Sequence, residues 1–555
     1  MNSGISRRQV LATAAAAAAA PAAQTSDLVA SVLKHHDQYV DRLLRDQVTD
    51  PASRHCGGIA DQFGVFQTHG ASAVLSLFTA SLLHPGSKFY KNPLLVERMR
   101  LATRFLEKGQ SPEGNISLLT TNFNSPPDTG FVMHGLGTAA CIAKRREARE
   151  LVAMMEPFML KAGAALTSGG IHTPNHRWVV SSALAQLNEI FPNPAYIRRI
   201  NMWLAEDVDI DEDGQFTERS THIYNPICDR AFIVLAEKLK RPELLEPARR
   251  NLHSMLYLLH PGFDVVTEIS SRRDADTRGN MSGYWFPLRY FAMRDGDGRF
   301  AAIERKYAPV YASLPVLMEY PELEKPGPAP VAPPEDYEKQ FRALKIAHIR
   351  RGLTSATVMM NGRNRFFAVR RGDAIVNAVR FASAFFGKGQ FTPQTVEKRG
   401  DTYYFSQSLE AGYMQPLDPP QKVTSANWGN LRATRRQTQI CKLTQEAWVT
   451  ETKDGFRLRI KSEGTSNVPL SVEINLGEGG KLEGCEPAPQ LADGWILPSG
   501  YAVYRTASHA IRFGPGIAEH RWAEVRGSQP KLPGTSVYLT GLTPFDRTIE
   551  FTYPA

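Results

Sequence analysis

The chain is 555 residues long, more than one hydrophobic core accommodates, so at least two domains are expected. An apolar content of 42% and a charged content of 22% exclude a disordered or low-complexity protein. The formal charge of +9 comes from scattered basic residues with no nucleic-acid motif, so a nucleic-acid partner is not expected.

The chain opens with Ser6-Arg7-Arg8-Gln9-Val10-Leu11, an alanine run to Ala20, and Pro21-Ala22-Ala23-Gln24. Paired arginines, a weakly apolar segment and small residues describe a twin-arginine export signal over residues 1–23. Its removal deletes two arginines and no acid, which lowers the formal charge from +9 to +7. No later run is long and apolar enough to cross a bilayer. The mature protein is therefore expected in the periplasm or outside the cell, without a membrane anchor. The five cysteines are odd in number, widely spaced and free of CxxC pairs, which argues against a disulfide framework or a cysteine metal site. No cofactor is expected, and a structural divalent cation is not indicated.

Residues 24–320 read as helical. Apolar positions recur at helical spacing from Leu28 to Leu44 and again over 72–83, 94–108, 131–144, 149–165, 177–190, 195–205, 222–240 and 242–259. Loops rich in Gly, Pro, Asn and Asp separate them, and no fixed repeat period is visible. This pattern predicts an incomplete (α/α) toroid rather than a solenoid. The segment 321–335, with PELEKPGPAPVAPP, reads as an extended linker. After one short helical piece over 336–345, the remainder to residue 555 turns to short β-branched and aromatic runs bounded by Gly, Asp and Asn, with Asp454-Gly455 at a tight turn. The expected fold class is thus α+β multidomain: an N-terminal incomplete (α/α) toroid followed by a C-terminal antiparallel β-sandwich.

Candidate chemistry falls on loops and helix starts of the first domain. Thr173-Pro174 reads as a helix start, with Thr173 as cap, which sets Asn175, His176, Arg177 and Trp178 in the first turn. A second group is Glu218-Arg219-Ser220-Thr221-His222-Ile223-Tyr224, and a third runs from Glu268 through Arg272 and Arg273 to Arg278. The Asn122, Asn124 and Asp128 loop is a fourth. An amide, an imidazole, a phenol and guanidinium groups are the types needed to hold a carboxylate and move a proton beside it. Each residue also has a plainer reading: Tyr224 as a packed helix start, Arg272 and Arg273 as a solvated loop, His222 as structural and Asp128 as a turn residue.

An exported helical toroid joined to a β-sandwich, with an Asn-His pair followed by a Tyr some tens of residues later, resembles the polysaccharide lyases of the heparinase II/III, alginate and chondroitin/hyaluronate types. The resemblance implies β-elimination on an acidic polysaccharide or oligosaccharide. His176, Tyr224, Asn175 and Arg272 would be the catalytic residues. Asn124, Asp128, Arg177, Trp178, Arg219, Glu268 and Arg273 would bind substrate. The sandwich supplies no glutamate or second histidine that the motif identifies. Two alternatives are a toroid glycoside hydrolase, which needs two facing carboxylates such as Asp128 with Glu218 or Asp229, and a non-catalytic glycan-binding protein stacking sugars on Trp178, Tyr224, Tyr284 and Trp285.

Overall fold

A computed structural model describes residues 27–307, 312–489 and 491–554. The expected export signal at 1–23 lies outside the described residues. By contact the chain forms two units: Met1–Leu256 with Thr267–Pro333, and Tyr257–Val266 with Pro334–Ala555.

The first unit is helical. Its helices are α1 (Asp27–Asp46), α2 (Thr68–Leu83), α3 (Pro93–Lys108), α4 (Pro126–Arg145), α5 (Arg149–Ser168), α6 (Asn175–Ile190), α7 (Pro194–Leu204), α8 (Asn225–Leu239), α9 (Glu246–Met255), α10 (Trp285–Asp295), α11 (Gly298–Lys306) and α12 (Ser313–Glu319). Helices α2, α4, α6, α8 and α10 pack side by side as an inner row, each backed by the helix that follows it. The two rows differ as their sequences require. Helix α6 is buried at every position from Asn175 to Leu187, whereas α3 buries only a stripe of Leu95, Met99, Ala102, Thr103 and Leu106. This is an incomplete (α/α) toroid, as expected.

The inner helices run parallel and in step. His134 on α4 meets Ser182 Oγ on α6 at 2.8 Å, and one turn later Gln186 Nε2 donates to Thr138 Oγ1 at 3.0 Å. Their N-termini therefore lie together on one side. The loops leading to them carry a repeat that the sequence alone did not reveal. Asp61-Gln-Phe-Gly64-Val65, Ser111-Pro-Glu-Gly114-Asn115 and Asp211-Glu-Asp-Gly214-Gln215 fold identically. In each, the first N–H donates to the fifth carbonyl, the glycine N–H donates to the first carbonyl, and the first side chain accepts from the fifth N–H. The glycines sit at φ +77°, +99° and +81°. Only the first and fourth positions are constrained, so the period hides among variable residues.

The second unit is a β-sandwich of a ten-stranded and an eight-stranded sheet. Ala347, Ile349, Val358, Phe367, Phe381 and Val472 of the larger sheet share a core with Phe405, Val449, Leu458, Ile460 and Phe551 of the smaller. Pairing between strands is antiparallel except where Gly494–Ile496 runs parallel to Ser536–Leu542. The turn near Asp454-Gly455 is the two-residue Lys453-Asp454, closed by the Thr452–Gly455 pair.

Two local expectations are corrected. The segment expected as a short helix over 336–345 opens instead with the strand Asp336–Phe341, in register with Ile346–Arg351. Its Tyr337, Lys339 and Phe341 recur at every second residue, a strand period. The segment Tyr257–Val266, which leaves the helical half in sequence, belongs to the second unit. There His260 Nδ1 lies 2.9 Å from Ser355 Oγ, and Arg350 Nη1 donates to Leu259 O at 3.3 Å.

The repeated turn allows a direct comparison. A Cβ at Gly64 meets nothing within 4 Å, so Gly64→Ala costs only the left-handed backbone, on the order of 1 kcal/mol. At Gly114 the Cβ would lie 2.3 Å from the Lys161 carbonyl oxygen, so Gly114→Ala should lower the melting temperature distinctly more. Thermal unfolding of the two variants tests this; equal shifts would mean that close packing at Gly114 contributes nothing.

Candidate active site

The parallel N-termini of the inner helices turn their unpaired N–H groups and positive dipole ends toward one side, which favours anions there. Helix α6 begins with Asn175 and His176 on that side. Thr173 does not cap it. The residue before the helix is Pro174, which makes no side-chain cap, and the Thr173 hydroxyl instead accepts from Asn175 Nδ2 at 3.1 Å. The Glu218 carboxylate takes the capping position, accepting from the Asn175 backbone N–H at 3.5 Å.

Glu218 is the centre of the arrangement. It is 5% exposed, and both its oxygens accept from Asn175 Nδ2 at 2.8 Å. Arg272 Nε approaches Glu218 Oε2 to 3.7 Å, while the guanidinium lies over the Tyr224 ring at 5.0 Å. The loops that carry these residues are fastened together. Ser271 donates to the Glu218 carbonyl through N–H (3.1 Å) and Oγ (2.9 Å). Asp274, buried, accepts from Ser220 Oγ at 2.9 Å, from the His222 N–H at 3.2 Å and from Ser270 Oγ at 2.5 Å. Tyr224 sits immediately before α8, with its N–H on the Ser220 carbonyl and hydroxyl. Asn175, Glu218, Tyr224 and Arg272 are thus linked residue by residue.

A carboxylate only accepts, so the Asn175 amide must face Glu218 with its Nδ2. Its Oδ1 is buried without a hydrogen-bond partner among the described residues. This corrects the role given to Asn175 as a donor to a substrate carboxylate: its N–H groups are committed, and what it offers is an acceptor. The Arg272 side chain, 30% exposed, is the group of this set that keeps a donor face toward solvent.

His176 presents its ring edge-on to Phe131 at 6.0 Å and to His172 at 4.6 Å, and its buried Nδ1 has no partner among the described residues. Burial pushes its pKa down to about 4, with His172 and Arg272 acting in the same direction and Asp128 opposing. The imidazole is therefore neutral near pH 7. Asp128 itself is 5% exposed and accepts from Asn122 Nδ2 at 2.9 Å and Ser125 Oγ at 2.6 Å. It orders the start of α4 and places a negative charge near both His176 and His69.

The remaining expected binding residues divide. Arg177 and Trp178 are turned into the core: Arg177 Nη2 pairs with Asp209 Oδ1 at 2.8 Å, and the fully buried Trp178 donates from Nε1 to the same oxygen at 2.9 Å and packs against Phe232. The shared Asp209 carboxylate thus holds both side chains inward, although Trp178, three residues after Asn175, starts from the same side of the helix. Trp178 is thereby removed as a sugar platform, as are the buried Tyr284 and Trp285. Asn124 is exposed, and its Oδ1 accepts from Ser111 Oγ at 2.8 Å. Arg219 is half-buried at φ +51°, Glu268 is buried, and Arg273 is exposed.

Sequence reading missed two residues. Glu218 was weighed only as a hydrolase carboxylate, because its contact with Asn175 spans the whole helix pair α6–α7, 43 residues. His69 occupies the second position of α2, as His176 does of α6, and burial also lowers its pKa. The toroid position was the available signal. Asp229, the other hydrolase carboxylate, is fully buried, has no hydrogen-bond partner for either oxygen among the described residues, and is pushed far up in pKa by burial. Among the described residues no group of His, Cys, Asp or Glu is arranged to hold a metal.

No protein-family model matches the chain. No curated protein matches its sequence. Its structure is similar to that of the chondroitin AC lyase of Streptomyces coelicolor A3, with a TM-score of 0.55 and 15% identity over 99% of this chain and 82% of that one. It is also similar to a Paenibacillus xanthan lyase, with a TM-score of 0.54 and 11% identity over 96% of this chain and 58% of that one. Likeness at such low identity speaks for architecture, and in architecture the toroid followed by a sandwich has the fold of the polysaccharide lyases.

Proposed function

We propose that this protein cleaves a uronate-containing glycan by β-elimination, and that Asn175, His176, Tyr224 and Arg272 do the work with Glu218 holding two of them in place. The observation that carries the reading is the link from Asn175 through Glu218 to Arg272 and Tyr224, beside a neutral buried imidazole. The fold supports it, since the S. coelicolor chondroitin AC lyase was solved in complex with chondroitin sulphate.

The chemistry assigns each group a task. A base removes the C5 proton of the uronate, and charge builds on its carboxylate. The C–H electron pair then forms the C4–C5 double bond as the C4–O bond breaks, and the leaving oxygen takes a proton. Arg272 neutralises the carboxylate with a planar fork that suits two-point contact. The inner-helix N-termini add to the positive potential. His176, kept neutral by burial, accepts the proton. Tyr224, under the Arg272 guanidinium, protonates the leaving oxygen, or performs both transfers if departure is syn. Asn175 Oδ1 accepts from a sugar hydroxyl and fixes the ring. Arg272 is held weakly enough by Glu218, at 3.7 Å, to exchange that partner for a substrate carboxylate.

Export belongs to the same proposal: a polymeric substrate lies outside the cell, and residues 1–23 read as a twin-arginine signal. Changing Arg7 and Arg8 together to Lys should leave the precursor in the cytoplasm on cell fractionation; undiminished export would remove this part.

The reaction is tested by the ultraviolet absorbance of the unsaturated product on a panel of uronate glycans. Hydrolysis would give reducing ends without that chromophore. Tyr224→Phe keeps the ring and loses one hydroxyl, so it should cost roughly 10²–10⁴-fold in kcat with unchanged melting. His176→Ala should cost as much if the two transfers are divided, and less if Tyr224 performs both. Near-native turnover in both variants would exclude this site. The pH profile is a separate check. Since the pKa of His176 is lowered to about 4, the acid limb of kcat/KM should fall near pH 4 rather than near the ordinary 6.5. An acid limb at 6.5 would show that a solvated group, not this imidazole, is the base.

A further inference from the structure

In the second unit the strands Thr402–Met414 and Gln437–Thr452 pair from Thr402–Thr450 out to Met414–Gln437. Between their ends the chain makes an excursion, residues 415–436, that leaves the sheet. It is an ordered piece of structure. Its base is closed by the Gln415 N–H on the Arg436 carbonyl at 2.8 Å and by Arg435 Nη1 on the Gln415 carbonyl at 3.0 Å. Its middle is held by Asn427, whose Oδ1 accepts from the Thr424 N–H at 2.7 Å while its Nδ2 donates to the Lys422 carbonyl at 3.0 Å. The short helix Trp428–Ala433 that follows buries no residue.

Three features of this arm are unusual together. Trp428 is 48% exposed, one of several large apolar side chains on the surface, and it is set among cationic groups. The Arg435 guanidinium lies over the Trp428 ring at 5.0 Å, which steadies the indole while about half of the residue stays exposed. Asp418 is the one acid of the arm, while Lys422, Arg432, Arg435 and Arg436 all fall in it. None of these four makes an ion pair among the described residues, although Lys442, just past the arm, pairs with Glu410. Ordinary surfaces intersperse the two signs. A positive field around one exposed aromatic ring fits a ligand that alternates flat apolar faces with anionic groups.

We propose that the arm 415–436 is a second binding site for an acidic polysaccharide, in the second unit, whereas the candidate active site belongs to the first. A pyranose ring stacks on the exposed part of Trp428, and neighbouring carboxylates or sulfates are taken by Arg432, Arg435 and Arg436. Three arginines against one lysine favour two-point recognition of such groups over attraction to a diffuse charge. The choice of an acidic glycan over another polyanion rests on the elimination reading. The arm would hold a long polymer near the enzyme between cleavage events, a gain in effective concentration that a short oligosaccharide cannot share.

The test is affinity electrophoresis of the full chain through gels containing chondroitin sulfate, hyaluronan or alginate, with dextran as the neutral control. It is run in a Tyr224→Phe background so that the polymer survives. Combining Trp428→Ala with Arg432→Gln and Arg436→Gln should weaken retardation by at least one of the acidic polymers about ten-fold. Dextran mobility and melting temperature should not change, because these side chains are exposed. With Tyr224 intact, the same three changes should leave turnover of a tetrasaccharide unaltered. Retardation unchanged in all three acidic gels overturns the proposal. So does wild-type co-sedimentation with phosphatidylglycerol vesicles that the changes abolish while glycan retardation persists, since the arm would then be a lipid-surface site. Turnover by Tyr224→Phe judges the elimination reading and gel mobility judges the arm, so the two can fail separately.

Discussion

A buried carboxylate must be paired or give up its charge, and around Glu218 the first unit supplies the partners. Its oxygens receive Asn175 from one helix start, and one of them faces Arg272 from another loop. An isolated charge there would be costly. The cost is met by an amide, a helix N-terminus and a guanidinium, the same groups that would receive a substrate carboxylate. Glu218 can therefore be read as the internal occupant of a site built for anions. Because its hold on Arg272 is looser than its hold on Asn175, a ligand would displace it from the arginine first.

The parallel inner row makes this possible. Each inner helix sends its N-terminus to the same side, and α2, α4 and α8 are reached through tight turns, with a two-stranded ribbon before α4 as well. The repeated turn at Asp61, Ser111 and Asp211 gives neighbouring helices equivalent starting points. His69 and His176 are each the second residue of an inner helix, α2 and α6, with Asp128 of the intervening α4 near both. Burial lowers the pKa of both histidines, which favours the neutral form that can accept a proton.

Much of this was legible in the residues. Helical periodicity over 24–320 and short β-branched runs beyond the prolines give the two architectures directly, because burial of one face imposes a period on each element type. The strand Asp336–Phe341 was mistaken for a helix because a single charged residue, Lys339, occupies an inward position and masks the alternation. Asn175, His176 and Tyr224 near helix starts, and Arg272 on a loop, could be singled out as candidates because their side chains suit the chemistry. Arg177 and Trp178 were misassigned because the carboxylate that draws both inward, Asp209, lies 32 and 31 residues further along the chain.

The sequence by itself determined which segments are helix or strand, where the chain changes from one to the other, and which side chains are able to bind an anion or move a proton. These are local properties, set by periodicity and by the chemistry of single residues. Only the tertiary structure decided that Glu218 joins Asn175 to Arg272, that Asn175 offers its oxygen and not its nitrogen, that His176 is neutral, and that Tyr257–Val266 leaves the helical unit. Each of these depends on residues far apart in the chain meeting in a desolvated place. There the cost of an unpaired charge or polar group selects the partner, and the order of the residues along the chain carries no record of that selection.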